Sequence, residues 1–313
     1  VIVRRIAGLV LLVSLVAVTA LVIASRGPEV GAGAPRPAAP AHGSRTGSLN
    51  AGGQLRTYRL YLPSSARPER ALPLVLVLHG FGGSGAQVER STGFSVLAEA
   101  HDFIAVYPDG LILDPRGGAR GWRTEPGTPV DDVEFLTLLL DSVQAAYPVD
   151  PARVSVTGHS NGGSMTYRFA CDRASRVAAA ASVAGPGVGQ CAPERAVPLL
   201  IIHGTADRTV PYAGGPGLFG IHFRPVQEMV DLWAARNACD PEAELTSPPD
   251  QADVVLAVHR ACAGGSAVRF YTIVGGSHRW PGDTLPRGVG EAASLSLDAT
   301  RVIWEFFRSH GEH

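Results

Sequence analysis

Gly158-His159-Ser160-Asn161-Gly162 has the form G-x-S-x-G. A serine hydroxyl is a weak nucleophile until a base stands within hydrogen-bond reach and a third group orients that base. Arg153-Val154-Ser155-Val156-Thr157, just before the pentapeptide, alternates and carries β-branched side chains, so it reads as a strand. Gly163 to Asp172, just after it, reads as a helix. A strand, this pentapeptide and a helix together form the setting in which a serine sits on a sharp turn with its hydroxyl exposed. A side chain at either glycine would crowd that turn. Ser160 is therefore the candidate nucleophile of an acyl-transfer reaction.

In such a fold the acid and the base follow the serine in that order, each in a loop after a strand. Leu199-Leu200-Ile201-Ile202-His203 is a strong strand, and Gly204 to Pro211 is its loop, which makes Asp207 the candidate acid. Asp240 and Asp253 lie in less suitable segments, and Asp109 precedes the serine. Val268 to Val274 reads as a strand followed by Gly275-Gly276-Ser277-His278, so His278 is the best placed of ten histidines. His259 falls inside a strand, His310 and His313 are terminal, and His203 is expected to pack beneath the acid loop. An oxyanion needs backbone N–H donors. One is expected from Asn161, the residue after the nucleophile, and the other from Phe81 in the loop His79-Gly80-Phe81-Gly82-Gly83-Ser84-Gly85, with Gly82 as the alternative. Trp122 and Trp280 stand beside these motifs and are candidate substrate-binding aromatics, by stacking on a ring or sugar, or else loop anchors. Asp132 is expected to cap or brace a helix.

The same glycine loop supports a rival. Gly80, Gly82 and Gly85 spell G-x-G-x-x-G after a strand and before a helix, and Asp109 stands where a ribose-binding acid would. A dinucleotide site would leave Ser160, Asp207 and His278 without a role. No C-x-x-C pair suggests a metal, so neither metal nor cofactor is expected.

The elements that must hold these residues are legible as follows. Strands are expected at Arg56–Leu62, Leu72–Leu78, Phe103–Tyr107, Val177–Ala184 and Leu199–His203, with a hairpin-like pair at Val254–Val258 and Val268–Val274. Helices are expected at Val88–Ala100, from Asp131 to about Tyr147, at Val226–Asn237 and at Leu297–Ser309. Asp131 with Glu134 three residues on resembles a capping box. Alternating strands and helices predict an α/β fold with a mostly parallel central sheet and helices on both faces. The 313 residues, 45% hydrophobic with a formal net charge of −1 and no basic run, allow a large core and argue against a nucleic-acid partner.

Arg4 and Arg5 precede an uncharged apolar run from Ile6 to Ser25, so residues 1–26 are expected to be a signal or membrane anchor. Residues 27–45, rich in Pro, Ala and Gly, are expected to be a tether, and 46–313 the catalytic domain. Such a chain would be extracytoplasmic, secreted or anchored, with membrane contact only through that first segment. Cys171, Cys191, Cys239 and Cys262 then suggest disulfides, with the sequence-local pairing Cys171–Cys191 and Cys239–Cys262 favoured among three.

Several motifs occur in a familiar order: His79-Gly80-Phe81-Gly82-Gly83, Trp122-Arg123, Asp131-Asp132-Val133, Gly158-His159-Ser160-Asn161-Gly162-Gly163, His203-Gly204-Thr205-Ala206-Asp207, Val210-Pro211-Tyr212 and Gly276-Ser277-His278-Arg279-Trp280-Pro281-Gly282. From about residue 46 onward they resemble the polyhydroxybutyrate depolymerase and feruloyl/acetylxylan esterase group, and exported mycobacterial-type esterases are similar. The resemblance implies an α/β-hydrolase fold, a triad of Ser160, Asp207 and His278, and a feruloyl, acetyl or hydroxyalkanoate-type ester as substrate, small or attached to a polysaccharide or polyester. Acyl transfer to an alcohol and non-catalytic binding at the cell surface are the alternatives.

Overall fold

The computed structural model describes residues 42–311 apart from 115, 126, 128–130, 190, 250 and 285–291. The expected signal or anchor at 1–26, and most of the tether, lie outside the described residues. Among these, no helix is long and apolar enough to cross a membrane.

Ten strands form one sheet: β1 (Gly43–Ala51), β2 (Gln54–Leu62), β3 (Leu72–Leu78), β4 (Ile104–Pro108), β5 (Val149–His159), β6 (Ala179–Val183), β7 (Leu199–Gly204), β8 (Glu244–Thr246), β9 (Val254–His259) and β10 (Val268–Ile273). Their spatial order is β1-β2-β4-β3-β5-β6-β7-β10-β9-β8. The six strands from β4 to β10 in that order are parallel, and the flanking pairs are antiparallel. Among the described residues, six helices pack on the sheet: α1 (Gly85–Thr92), α2 (Phe94–His101), α3 (Asp132–Ala146), α4 (Asn161–Asp172), α5 (Val226–Arg236) and α6 (Ala299–His310).

The near-continuous apolar runs of the central strands follow from burial on both faces. In β3, Leu74, Leu76 and Leu78 join one core with Phe135 and Leu139 of α3, Met165 and Phe169 of α4, and Val230 and Trp233 of α5. Val75 and Val77 point the other way, into a core with Val88 of α1, Phe94 of α2, and Ile303 and Phe307 of α6. The expected α/β-hydrolase architecture is thus present. So is the local disulfide pairing, Cys171–Cys191 and Cys239–Cys262.

Two expectations change. The single helix expected over 88–100 is two helices broken at Gly93, whose φ of 69° is left-handed and whose N–H closes α1 onto the Glu89 carbonyl. Residues 43–45, expected as part of the tether, are strand. β1 pairs with the whole of β2, and its polar sequence, GSRTGSLNA, suits an edge strand with one face to solvent.

Candidate active site

Every candidate catalytic side chain lies at the carboxyl end of a parallel strand. β5 runs into Ser160, and α4 leaves directly from it. The turn between them holds Ser160 at φ 54° and ψ −121°, a conformation that costs a non-glycine residue roughly 1–3 kcal/mol. The glycines make it possible. A Cβ on Gly158 would stand 2.3 Å from the Gly162 carbonyl oxygen, and one on Gly162 would stand 2.4 Å from that of Leu78.

Asp207 and His278 come together because their loops pack backbone to backbone. A Cβ on Gly204 would meet the Gly276 carbonyl oxygen at 2.2 Å. Thr205 N–H donates to Ile273 O at 2.9 Å, and Ala206 N–H to Gly276 O at 2.9 Å. Across this seam His278 Nδ1 lies 2.7 Å from Asp207 Oδ2, and His278 Nε2 lies 2.9 Å from Ser160 Oγ. The carboxylate fixes the tautomer: Nδ1 carries the proton and donates to Asp207, while Nε2 accepts from the serine hydroxyl.

Asp207 is enclosed, and burial by itself would raise its pKa. Hydrogen bonds from His203 and His278, the charge His278 carries when protonated, and the Val210 N–H outweigh that and hold it well below the ordinary carboxylate range. Its Oδ1 accepts from the N–H groups of Thr209 and Val210, both at 2.8 Å.

The loop after β3 lies against the nucleophile turn. A Cβ on Gly80 would be 3.3 Å from both Ser160 Cβ and His159 Nδ1. Gly82 N–H donates to Arg120 O at 2.7 Å, which removes Gly82 as the alternative oxyanion donor. Phe81 half exposes its ring beside Gly121 and Asn161. His79, a residue sequence reasoning gave no role, braces the loop: its Nε2 accepts from Gly110 N–H at 2.9 Å, so its Nδ1 donates to Gly80 O at 2.7 Å. Burial lowers its pKa.

Trp122 and Trp280, expected as substrate-binding aromatics, are instead buried anchors. Trp122 is 2% exposed, and its indole N–H donates to His79 O at 2.8 Å. Trp280 is 4% exposed, donates to Thr300 Oγ1 at 3.0 Å and packs edge-on against Phe94. Their place in loops beside the candidate motifs suggested exposure, but large rings beside a site also fill the space beneath it. Asp132 braces as expected, though on a larger scale. Fully buried, it holds Arg56 Nη2 at 2.7 Å and Arg123 N–H at 2.8 Å, tying β2 to the segment that carries Trp122.

The dinucleotide alternative is overturned. The Asp109 carboxylate is engaged by Gly85 N–H at 2.8 Å and Thr57 Oγ1 at 2.6 Å, so it fastens the start of α1 to β2. The glycine loop faces Ser160. Among the described residues, no three His, Cys, Asp or Glu side chains converge as a metal would require.

Residues 50–296 match the Esterase family, described as "Putative esterase". The chain belongs to this family. The esterase is 31% identical to "Putative esterase NocK" of Nocardia uniformis, over 75% of this chain and 73% of that protein. It is 30% identical to "Probable feruloyl esterase C" of Aspergillus clavatus, over 80% of this chain and 83% of that one. The acetyl xylan esterase from Aspergillus awamori shares the fold, with a TM-score of 0.61 at 15% identity, covering 84% of this chain and 99% of that chain. The esterase is a carboxylic ester hydrolase of the feruloyl and acetylxylan esterase group of α/β-hydrolases.

Proposed function

We propose that the esterase is exported and cleaves its ester through a serine acyl-enzyme, with Ser160 as nucleophile, His278 as base and Asp207 as orienting acid. The observation that carries this reading is the continuous hydrogen-bonded line from Ser160 Oγ through His278 to Asp207, at 2.9 Å and 2.7 Å. His278 Nε2 takes the hydroxyl proton as Oγ attacks the ester carbonyl carbon. Backbone N–H groups of Asn161 and Phe81 bind the oxyanion. The C–O bond to the alcohol then breaks, and His278 returns the proton to the departing oxygen. Water, deprotonated by the same nitrogen, attacks the acyl-serine, and Ser160 is regenerated as the acid leaves. Asp207 stays ionised throughout, holding the imidazole tautomer and stabilising the imidazolium.

The substrate class is an ester of feruloyl, acetyl or hydroxyalkanoate type, small or carried on a polysaccharide or polyester. Its feruloyl and acetyl-xylan members are supported by the names of the similar proteins. Export is supported by the apolar run after Arg4 and Arg5 and by the two disulfides.

Ser160→Ala is expected to lower kcat on a short-chain nitrophenyl ester by ~10⁴-fold or more and to abolish labelling by a fluorophosphonate. Near-native turnover in that variant would sink the triad reading. Failure of the native protein to be labelled would favour a binding protein instead.

A further inference from the structure

The two-step reaction leaves the buried His203 unused. His203, near the end of β7, is wholly enclosed. Its Nε2 lies 2.8 Å from the Val210 carbonyl oxygen and 3.2 Å from Asp207 Oδ2, the same oxygen that His278 Nδ1 approaches at 2.7 Å. Its Nδ1 is buried without a hydrogen-bond partner. These surroundings fix the tautomer. Two acceptors flank Nε2, so the proton belongs there. A proton on Nδ1 would meet no acceptor and would leave the Nε2 lone pair against a carbonyl and a carboxylate.

We propose that His203 is a positioning residue for the triad acid: its Nε2–H bridges Val210 O and Asp207 Oδ2 and sets how strongly that oxygen holds His278. The inference rests on the Ser160–His278–Asp207 reading. Oδ1 is already held by two backbone N–H groups, so the carboxylate cannot turn without breaking them, and Oδ2 is left between two histidines. An oxygen that shares its charge with one donor has less to give the other. His203 thereby moderates the pull of Asp207 on the His278 imidazolium.

The consequence is a sign. Without the His203 donor, Asp207 Oδ2 interacts more strongly with His278, the imidazolium is better stabilised, and the base stays protonated to higher pH. The acid limb of the pH–rate profile then moves upward. The other groups around the pair remain in place. His159 of β5 contacts the His278 carbonyl at 2.6 Å. Tyr212 packs edge-on to the His203 ring, and Arg208 and Arg279 adjoin Asp207 and His278 in their loops.

The test is kcat/KM against pH on a short-chain nitrophenyl ester for the native enzyme, His203→Phe and His203→Gln. Phe keeps a flat ring and removes the donor, whereas Gln can place an N–H near the position of Nε2. His203→Phe is expected to move the acid limb up by about half a pH unit. His203→Gln is expected to return the limb to its native position. A limb that does not move in the Phe variant overturns the proposal, whatever happens to Tm or kcat, and so does a Gln variant that behaves like Phe. Should His203→Phe not fold, nitrogen-15 resonances of the native enzyme decide: protonation of His203 at Nε2 supports the bridge and protonation at Nδ1 overturns it. The two readings fail separately. Activity surviving Ser160→Ala removes the triad, whereas an unmoved limb in an enzyme that still needs Ser160 removes only the role of His203.

Discussion

At the scale of the residue, Asn161 serves the site twice. Its backbone N–H is the proposed oxyanion donor, and its side chain is a clamp. Oδ1 accepts the Trp122 N–H at 2.6 Å, and Nδ2 donates to the Trp122 carbonyl at 3.0 Å. This two-point bond fixes the nucleophile turn to the segment whose Arg120 carbonyl holds Gly82, so the two proposed oxyanion donors are positioned by one connected frame. Asn161→Ala keeps the backbone donor and deletes the clamp, leaving buried backbone groups of Trp122 unpaired. The expected result is a loss of about 1–3 kcal/mol in urea unfolding, with kcat falling and KM nearly unchanged, because a loosened oxyanion site weakens the transition state more than the ground state. A kcat equal to that of the native enzyme would show that the frame does not need its side-chain bond.

At the scale of the element, the site depends on a close crossing between the nucleophile turn and the end of β3. A Cβ on Gly162 would lie 2.4 Å from Leu78 O and 2.5 Å from His79 O, so Gly162→Ala must push the turn and the oxyanion loop apart. We expect it to cost about 1–3 kcal/mol of stability and to slow fluorophosphonate labelling of Ser160 by at least tenfold, read by quenched gel labelling. Native labelling kinetics would mean that the strain relaxes elsewhere. This crossing also shows why the candidate triad was legible in the sequence. Strong apolar strands announced the ends of β5, β7 and β10, and chemistry at a strand end needs only the next few residues. The parts that brace those ends were legible only in outline: His203 was expected beneath the acid loop and Asp132 as a brace, but not the partners each one holds. His79, Asn161 and Asp132 act through partners distant in sequence, and nothing near His79 announces that its ring will accept from Gly110. Trp122 and Trp280 were left between stacking and anchoring for the related reason that local composition does not tell a ring lying over a cleft from one lying under it. The break at Gly93 was missed because the apolar pattern runs through it, and β1 because a polar edge strand has no apolar alternation to read.

At the scale of the whole molecule, chemistry and covalent reinforcement lie at opposite edges of the sheet. Ser160, Asp207 and His278 stand at the carboxyl ends of their strands. α4 runs back from Ser160 toward the amino edge and carries Cys171 in its last turn, bonded to Cys191 in the connection that leads into β7. Cys239 follows α5 and bonds Cys262, which precedes β10. Between them Asn237 pins the same edge, accepting from Val197 N–H at 3.2 Å and donating to Val197 O at 2.7 Å. Each bridge closes a loop of modest span, with sequence separations of 20 and 23, worth roughly 3 kcal/mol through the restriction of the unfolded chain. Reduction should therefore act on stability and leave the triad geometry alone. The expected outcome is a Tm lower by roughly 10 °C or more after full reduction, with kcat/KM at 25 °C within about twofold of the oxidised enzyme, because the frame around Ser160 consists of backbone seams and buried polar pairs that contain no sulfur. Loss of activity at 25 °C while near-ultraviolet circular dichroism stays native would contradict this separation. It would mean that the amino edge sets the register of β7 and β10, and through them the meeting of Asp207 with His278.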